Sequence, residues 1–122
     1  MAQVHSHAVN AIIVGVQRAV PDARVFKRVV GAFRAVESPE RIVSVGDKGQ
    51  CDLWGFVRGR PRAVPFEIEV KVGKDRLRAE QCAWAEMCRS MGVPYLLVRA
   101  SDKDDIPQAV RDAADFVRGL LQ

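Results

Sequence analysis

The chain has 122 residues, enough for a single domain that buries a real core without disulfide or metal staples. Its 48% apolar and 28% charged content is ordinary for a soluble globular protein, and no apolar run approaches the roughly 20 residues that span a bilayer. The net charge of +4 is unevenly spread: residues 1–99 carry 16 Lys and Arg against 10 Asp and Glu, while residues 100–122 carry 3 against 5, a basic body compatible with a polyanionic partner.

The first predicted element is a helix. Val9, Ile12, Ile13, Val16 and Val20 follow the i, i+3, i+4, i+7 rule, Ser6 is the expected N-cap, and the turn at Pro21-Asp22 ends the run. Arg24 to Val36, rich in Val and Phe, is predicted as a hairpin or bent strand pair, and Arg41–Val45 as a short strand. The loop Gly46-Asp47-Lys48-Gly49-Gln50 leads to a strand over Asp52–Val57. A basic turn from Arg58 to Arg62 then leads to a strand over Ala63–Val72. In that second strand Phe66, Ile68, Val70 and Val72 alternate with Glu67, Glu69 and Lys71, which predicts one apolar and one polar face.

A helix is expected over Ala79–Met91, packing through Trp84, Ala85, Cys88 and Met91, with Gln81 on the same inward stripe. The strand Tyr95–Val98 follows, and then a helix from near Pro107 that buries Val110, Ala113, Ala114, Val117 and Leu121. The order predicts an α/β layer with a mixed central sheet, its strand–helix–strand stretch from Ala63 to Val98 forming a parallel crossover. No repeat or linker divides residues 1–122. Three cysteines without a Cys-x-x-Cys pair, and the lack of a signal-peptide pattern, point to a reducing cytoplasm with no disulfide-linked or membrane partner.

Chemistry concentrates on the two middle strands. Glu69 and Lys71, two residues apart, share a face of one strand. If the preceding strand returns antiparallel through the Arg58–Arg62 turn, Asp52 comes back close to their level. Two converging carboxylates form a hard-oxygen site suited to Mg2+, which neutralises phosphate charge and lowers the pKa of bound water. A lysine alongside orients that water or faces the charge of the transition state. Gln81, ten residues beyond Lys71, is within reach of a phosphate oxygen or the attacking water. Lys48, Arg58, Arg60, Arg62, Lys74, Arg76 and Arg78 are expected to rim the cleft and contact phosphates without reading bases. Aromatic residues are few, which argues against a stacking platform for single strands.

The ordered set resembles the VRR-NUC family of the PD-(D/E)XK nuclease superfamily. It comprises a Gly-rich loop from Gly46 to Cys51, the acid Asp52, the triplet Glu69-Val70-Lys71 and the helical Gln81. Trp84, the stretch Gly92 to Arg99, and the upstream Arg28 and Gly31 are also similar. The resemblance implies a restriction-endonuclease-like αβββαβ core. It implies metal held by Asp52, Glu69 and the Val70 carbonyl (Mg2+, with Mn2+ substituting), Lys71 positioning the nucleophile, and Gln81 assisting at the phosphate. It also implies a DNA endonuclease that leaves a 5′-phosphate and a 3′-hydroxyl, and, as in stand-alone viral and bacterial members, a homodimer acting on branched DNA. Three departures stand out. Cys51 replaces the Pro of the superfamily name. Arg78 takes the place of a capping Ser or Thr, leaving Gln81 without its reciprocal partner. His5 and His7 stand where many members have a metal-binding Glu on the first helix, with Glu67 a further candidate carboxylate. The alternatives are a non-catalytic DNA-binding subunit of the same fold and a protein-interaction module whose charged strand is a surface edge.

Overall fold

Helix α1 spans Ala2–Ala19 in the computed structural model, which describes residues 2–29 and 31–121. The helix begins well before Ser6, which is therefore an interior, exposed residue and not the N-cap. Burial explains the extra turn: Ala8 is fully buried and Val4 packs against the core, so tertiary contact carries the helix past its sequence signal. Val9, Ile12, Val16 and Val20 are buried as the period requires, with Ile13 at the margin.

The stretch from Arg24 to Val36 is not a hairpin. It divides into β1 (Ala23–Lys27) and β2 (Gly31–Arg34), which pair with different partners; Val30 lies outside the described residues. Strand β2 pairs antiparallel with β3 (Ile42–Val45) as a separate two-stranded ribbon. Strand β1 joins β4 (Leu53–Val57), β5 (Val64–Val72) and β6 (Tyr95–Ala100) in the order β1-β4-β5-β6. The first two contacts are antiparallel and the last is parallel, so the sheet is mixed. Gly55 within β4 has a packing reason: a Cβ there would meet the Arg24 carbonyl oxygen at 2.1 Å and the Phe66 ring at 2.8 Å.

Helix α2 (Ala79–Met91) makes the crossover between β5 and β6, and α3 (Ile106–Leu120) closes the described chain. Helices α1 and α3 cover one face of the sheet over Leu53, Val57, Phe66, Ile68, Val70 and Val98, with the Phe66 and Phe116 rings edge to face. Full burial of each large side chain there contributes about 1.5–3 kcal/mol. Gly15 permits the close approach of the two helices, since a Cβ on it would meet Val110 Cγ1 at 2.2 Å. In α3 the buried stripe is Ile106, Ala109, Ala113, Ala114 and Val117; Leu121, expected inside, lies past the helix end and is exposed.

Helix α2 covers the opposite face through Ala85 and Cys88, with Trp84 partly buried. Met91, expected in this stripe, is exposed because Gly92 in the left-handed conformation turns the chain away. This second layer covers the polar face expected on β5: every residue from Phe66 to Val72 is buried, including Glu67, Glu69 and Lys71. Burying three ionisable groups in a row is costly unless each finds a partner.

Among the described residues no helix is long and apolar enough to cross a membrane, and Cys51, Cys82 and Cys88 are free thiols.

Candidate active site

The β4–β5 register builds the site. Leu53 pairs with Ile68, so the next rung sets Asp52 against Glu69. Asp52 stands just outside β4 and leaves the regular ladder: its Oδ2 accepts from the Val70 N–H at 2.8 Å, and its carbonyl accepts from the Arg28 N–H at 2.8 Å. Those bonds anchor a carboxylate at the strand end, where the Asp52 carboxyl stands near enough to that of Glu69 to raise it. Glu69 is 2% exposed, and its Oε2 is a buried oxygen with no partner. Burial first, then the adjoining Asp52 carboxyl, pushes Glu69 up to about 9, with Lys71 and Arg78 pulling weakly the other way.

Lys71, 4% exposed, is held from two sides: its Nζ donates to Gln81 Oε1 at 3.0 Å and lies 3.4 Å from Asp75 Oδ2. Gln81 Oε1 also accepts from the Arg78 N–H at 2.8 Å. The Arg78 side chain has no acceptor to offer, so half of a capping box forms at the start of α2 despite the missing Ser or Thr. Both neighbours of Gln81 Oε1 are donors, which fixes the amide orientation and leaves its NH2 group for the cleft that Gln81 lines.

Asp75, with no sequence signal of its own, is a further member of the site. Lys71 holds its exposed carboxyl below the usual range, and Arg99 ties down its loop by donating to the Gly73 and Asp75 carbonyls at 2.9 and 2.6 Å.

Glu67 does not join this group. Arg28 grips it bidentately at 2.6 and 3.0 Å, and Trp84 Nε1 donates to it at 3.0 Å. The Arg28 guanidinium also lies 5.9 Å from the ring centroids of both Trp54 and Trp84. The partners of Glu67 are therefore saturated. Nearby, burial pushes the Cys51 thiol far above its ordinary range, so this residue is an inert apolar filler.

His5, placed by α1, brings Nε2 to 3.2 Å from the Val70 carbonyl oxygen and 3.4 Å from Asp52 Oδ1; His7 is exposed. The only hint of His5 in the sequence was its position on the first helix.

A cleft of about 410 Å³ meets the site at Asp52 and Gln81, lined by Arg28, the loop from Lys48 to Asp52, and Arg78, Glu80 and Gln81 of the α2 start. Gly49 shapes one wall: at φ +91° its Cα sits so close to α2 that a Cβ would meet the Glu80 carbonyl oxygen at 2.2 Å. The expected basic rim divides in two. Lys48 and Arg78 line the cleft, and Lys74 and Arg76 lie on the loop that follows Lys71. Arg58, Arg60 and Arg62 belong to the β4–β5 turn at the other end of the strands, about 20 Å from Asp52 at about 3.3 Å per residue. Arg58 there pairs with Asp22 at 3.1 Å. On that side of the sheet Phe26, Trp54 and Phe56 form one half-exposed aromatic cluster, a concentration that the low aromatic count hid.

The donor set suits a hard divalent ion. Two neighbouring carboxyls, one with an orphaned buried oxygen, would be relieved by a cation between them. Among the described residues no three His, Cys, Asp or Glu side chains group as a metal-holding set. Two carboxylates and a main-chain carbonyl are nonetheless what Mg2+, which retains several waters, ordinarily takes. No protein-family model, curated protein or solved structure matches the chain.

Proposed function

We propose that this chain is a Mg2+-dependent DNA endonuclease of the restriction-endonuclease-like αβββαβ class, similar to the VRR-NUC family, with Mn2+ able to replace Mg2+. The observation that carries the reading is the meeting of Asp52 and Glu69 carboxyls, one of them buried with an unpartnered oxygen, beside a buried and oriented Lys71. A site of this cost has no structural benefit that apolar residues would not supply better.

Asp52, Glu69 and the Val70 carbonyl would hold the metal, which when bound supplies charge neutralisation at the phosphate and a lowered pKa for water. Lys71 cannot swing freely, because Gln81 and Asp75 fix its ammonium. It faces the developing phosphate charge and orients the attacking water. The Gln81 NH2 group donates to a phosphate oxygen in the cleft. Lys48 and Arg78 hold the flanking phosphates, which gives binding by backbone shape and not by base identity. Hydrolysis leaves a 5′-phosphate and a 3′-hydroxyl, and a homodimer acting on branched DNA in the cytoplasm is the form the resemblance suggests.

A panel of labelled junction, flap, nicked and plain duplexes, with Mg2+, Mn2+ or EDTA, tests the reading on wild type and Lys71→Ala. Cleavage by wild type alone and only with metal is expected. Full-rate cutting by Lys71→Ala, or none by wild type with any divalent ion, overturns it. The second reading, a non-catalytic DNA-binding subunit, draws on the lack of a three-side-chain metal group among the described residues. It predicts affinity that survives EDTA and no cleavage.

A further inference from the structure

An aromatic patch on the outer face of β1 and β4 continues from the site. Trp54 and Phe56 alternate with the buried Leu53, Gly55 and Val57, so they project from the face opposite α1 and α3. Asp52 stands two residues before Trp54, about 7 Å along the strand. Phe26, opposite Trp54 in the register, stacks on that ring at 4.8 Å and lies 5.9 Å from the ring of Phe56. All three stay half-exposed, at 40% for Phe26, 36% for Trp54 and 40% for Phe56. Rings left side by side in water mark a contact surface.

Its surroundings say what the surface fits. Arg28 lines the cleft and also lies 5.9 Å from the Trp54 ring centroid, so cleft and patch share a wall. Beyond Phe56 a second cavity, of about 400 Å³, is bordered by Phe56, Arg24, Arg58 and Asp22. Arg24 is held there by Nη1, which donates to the Pro21 and Ala23 carbonyls at 2.9 and 2.7 Å, on a fork that carries five donors. The acids beside the patch, Glu67 and Asp22, are each paired with an arginine. Flat rings framed by guanidinium groups match nucleobases on a phosphate backbone. A second copy of this basic chain would bring like charges together at the same place.

We propose that unpaired nucleotides of a DNA strand leaving the cleft stack on Trp54, Phe26 and Phe56, with a base entering the cavity beside Arg24. The inference rests on the nuclease reading for what lies at the cleft, and it names the substrate class: DNA with an unpaired tail next to the cut. The low aromatic count argues against such a platform only if the rings are scattered, and here three of them share one patch. Sheet surfaces that bind single strands do so with two or three rings. A blunt duplex seated at the cleft leaves the patch empty.

Binding of a labelled oligothymidylate of about ten nucleotides to the full chain, with EDTA present, tests the patch without cleavage. Tryptophan emission should be quenched on binding, an effect that Trp54→Phe removes while keeping most of the affinity. Trp54→Leu and Phe56→Leu keep apolar bulk without a ring face, and each should weaken binding at least about fivefold. The slope of log affinity against log salt should stay unchanged in both, since no phosphate contact is lost. No binding of oligothymidylate by wild type at low salt, or binding that neither quenches emission nor responds to either Leu variant, overturns the inference. The nuclease reading then still stands or falls on metal-dependent cleavage. Sedimentation that shows a dimer dissociated by Phe56→Leu, with oligothymidylate affinity intact, also overturns the inference and gives the patch to a second copy. A chain that binds oligothymidylate as expected but cuts nothing with any divalent ion overturns the nuclease reading alone. The wild-type quenching needs no variant, so one that fails to fold does not obscure the result.

Discussion

Glu67 and Glu69 sit two residues apart on the same face of β5, both buried, and their surroundings are opposite. Glu67 is matched: Arg28 supplies two hydrogen bonds, Trp84 a third, and two indole rings flank the guanidinium. Glu69 is mismatched: the charge that acts on it most is another carboxyl, and one oxygen has no partner. The first arrangement holds the fold together. The second is unfavourable as it stands, and on the function proposed above a cation would relieve it. Buried carboxylates are thus divided by what their lone pairs meet, not by how deeply they lie.

Exchanging each for its amide separates the two roles. Glu69→Gln is expected to cut DNA cleavage by about 100-fold or more, the scale of losing a group that supports transition-state charge, while the metal-free protein melts at the same or a higher temperature. Steady-state cleavage and thermal melts in chelator, measured side by side, check both halves. A Glu69→Gln protein that cuts normally would remove the reason for treating the two carboxylates differently.

Glu67→Gln should do the reverse. Removing one partner of a buried, bidentate pair leaves the Arg28 charge uncompensated and costs about 3 kcal/mol. Denaturant unfolding should register that loss, with cleavage per folded molecule close to wild type. Arg28→Met together with Glu67→Leu, which replaces the pair with apolar side chains, should recover most of the stability.

How far this contrast was legible in the sequence follows from the range of the contacts. The alternation of β5, the return of Asp52 through a hairpin, and the start of α2 at Ala79 are near-neighbour patterns, and the strand register and helix bounds agree with them. The partner of β1 lies across the intervening β2–β3 ribbon, and nothing local distinguishes it from a hairpin with its neighbour. The same holds for Glu67 and Glu69. Alternation puts both on one face, but only the long-range arrival of Arg28 and Trp84 at one, and of Asp52 and His5 near the other, makes them different. The full burial of Glu67, Glu69 and Lys71 is likewise a long-range effect, because α2 covers a face that alternation alone marks only as polar.

The pH response sharpens the contrast by a smaller amount. Folded and metal-free, Glu69 sits near 9 against a usual value of 4.5, so between those values the native chain keeps a proton that the unfolded chain has released. Stability must then fall as pH rises through that window and level off above about 9. The melting temperature in chelator should decline between about pH 6 and 9 in wild type and stay flatter in Glu69→Gln. Added Mg2+, which favours the ionised carboxyl, should raise the melting temperature more at the alkaline end. A slope equal in the two proteins would mean that Glu69 is ionised without metal.

The smallest effect concerns the basic residues, which the fold also divides into two regions. Lys48 and Arg78 line the cleft, whereas Arg60 and Arg62 lie on the exposed turn at the far end of the same strands. If DNA is held where the carboxyls meet, each cleft cation that neutralises a phosphate releases a counterion, and its loss lowers the slope of log affinity against log salt by about 0.9. Lys48→Ala with Arg78→Ala should therefore reduce that slope by about 1.8, a few-fold loss of affinity at low salt, as read by anisotropy with EDTA present to block cleavage. Arg60→Ala with Arg62→Ala should leave the slope within error, because the turn stands about 20 Å from Asp52, at the far end of strands that rise about 3.3 Å per residue. Equal slopes for the two double variants would mean that DNA runs the length of the β4–β5 hairpin. The aromatic cluster of Phe26, Trp54 and Phe56 would then lie along its path, and the cleft alone would no longer account for binding.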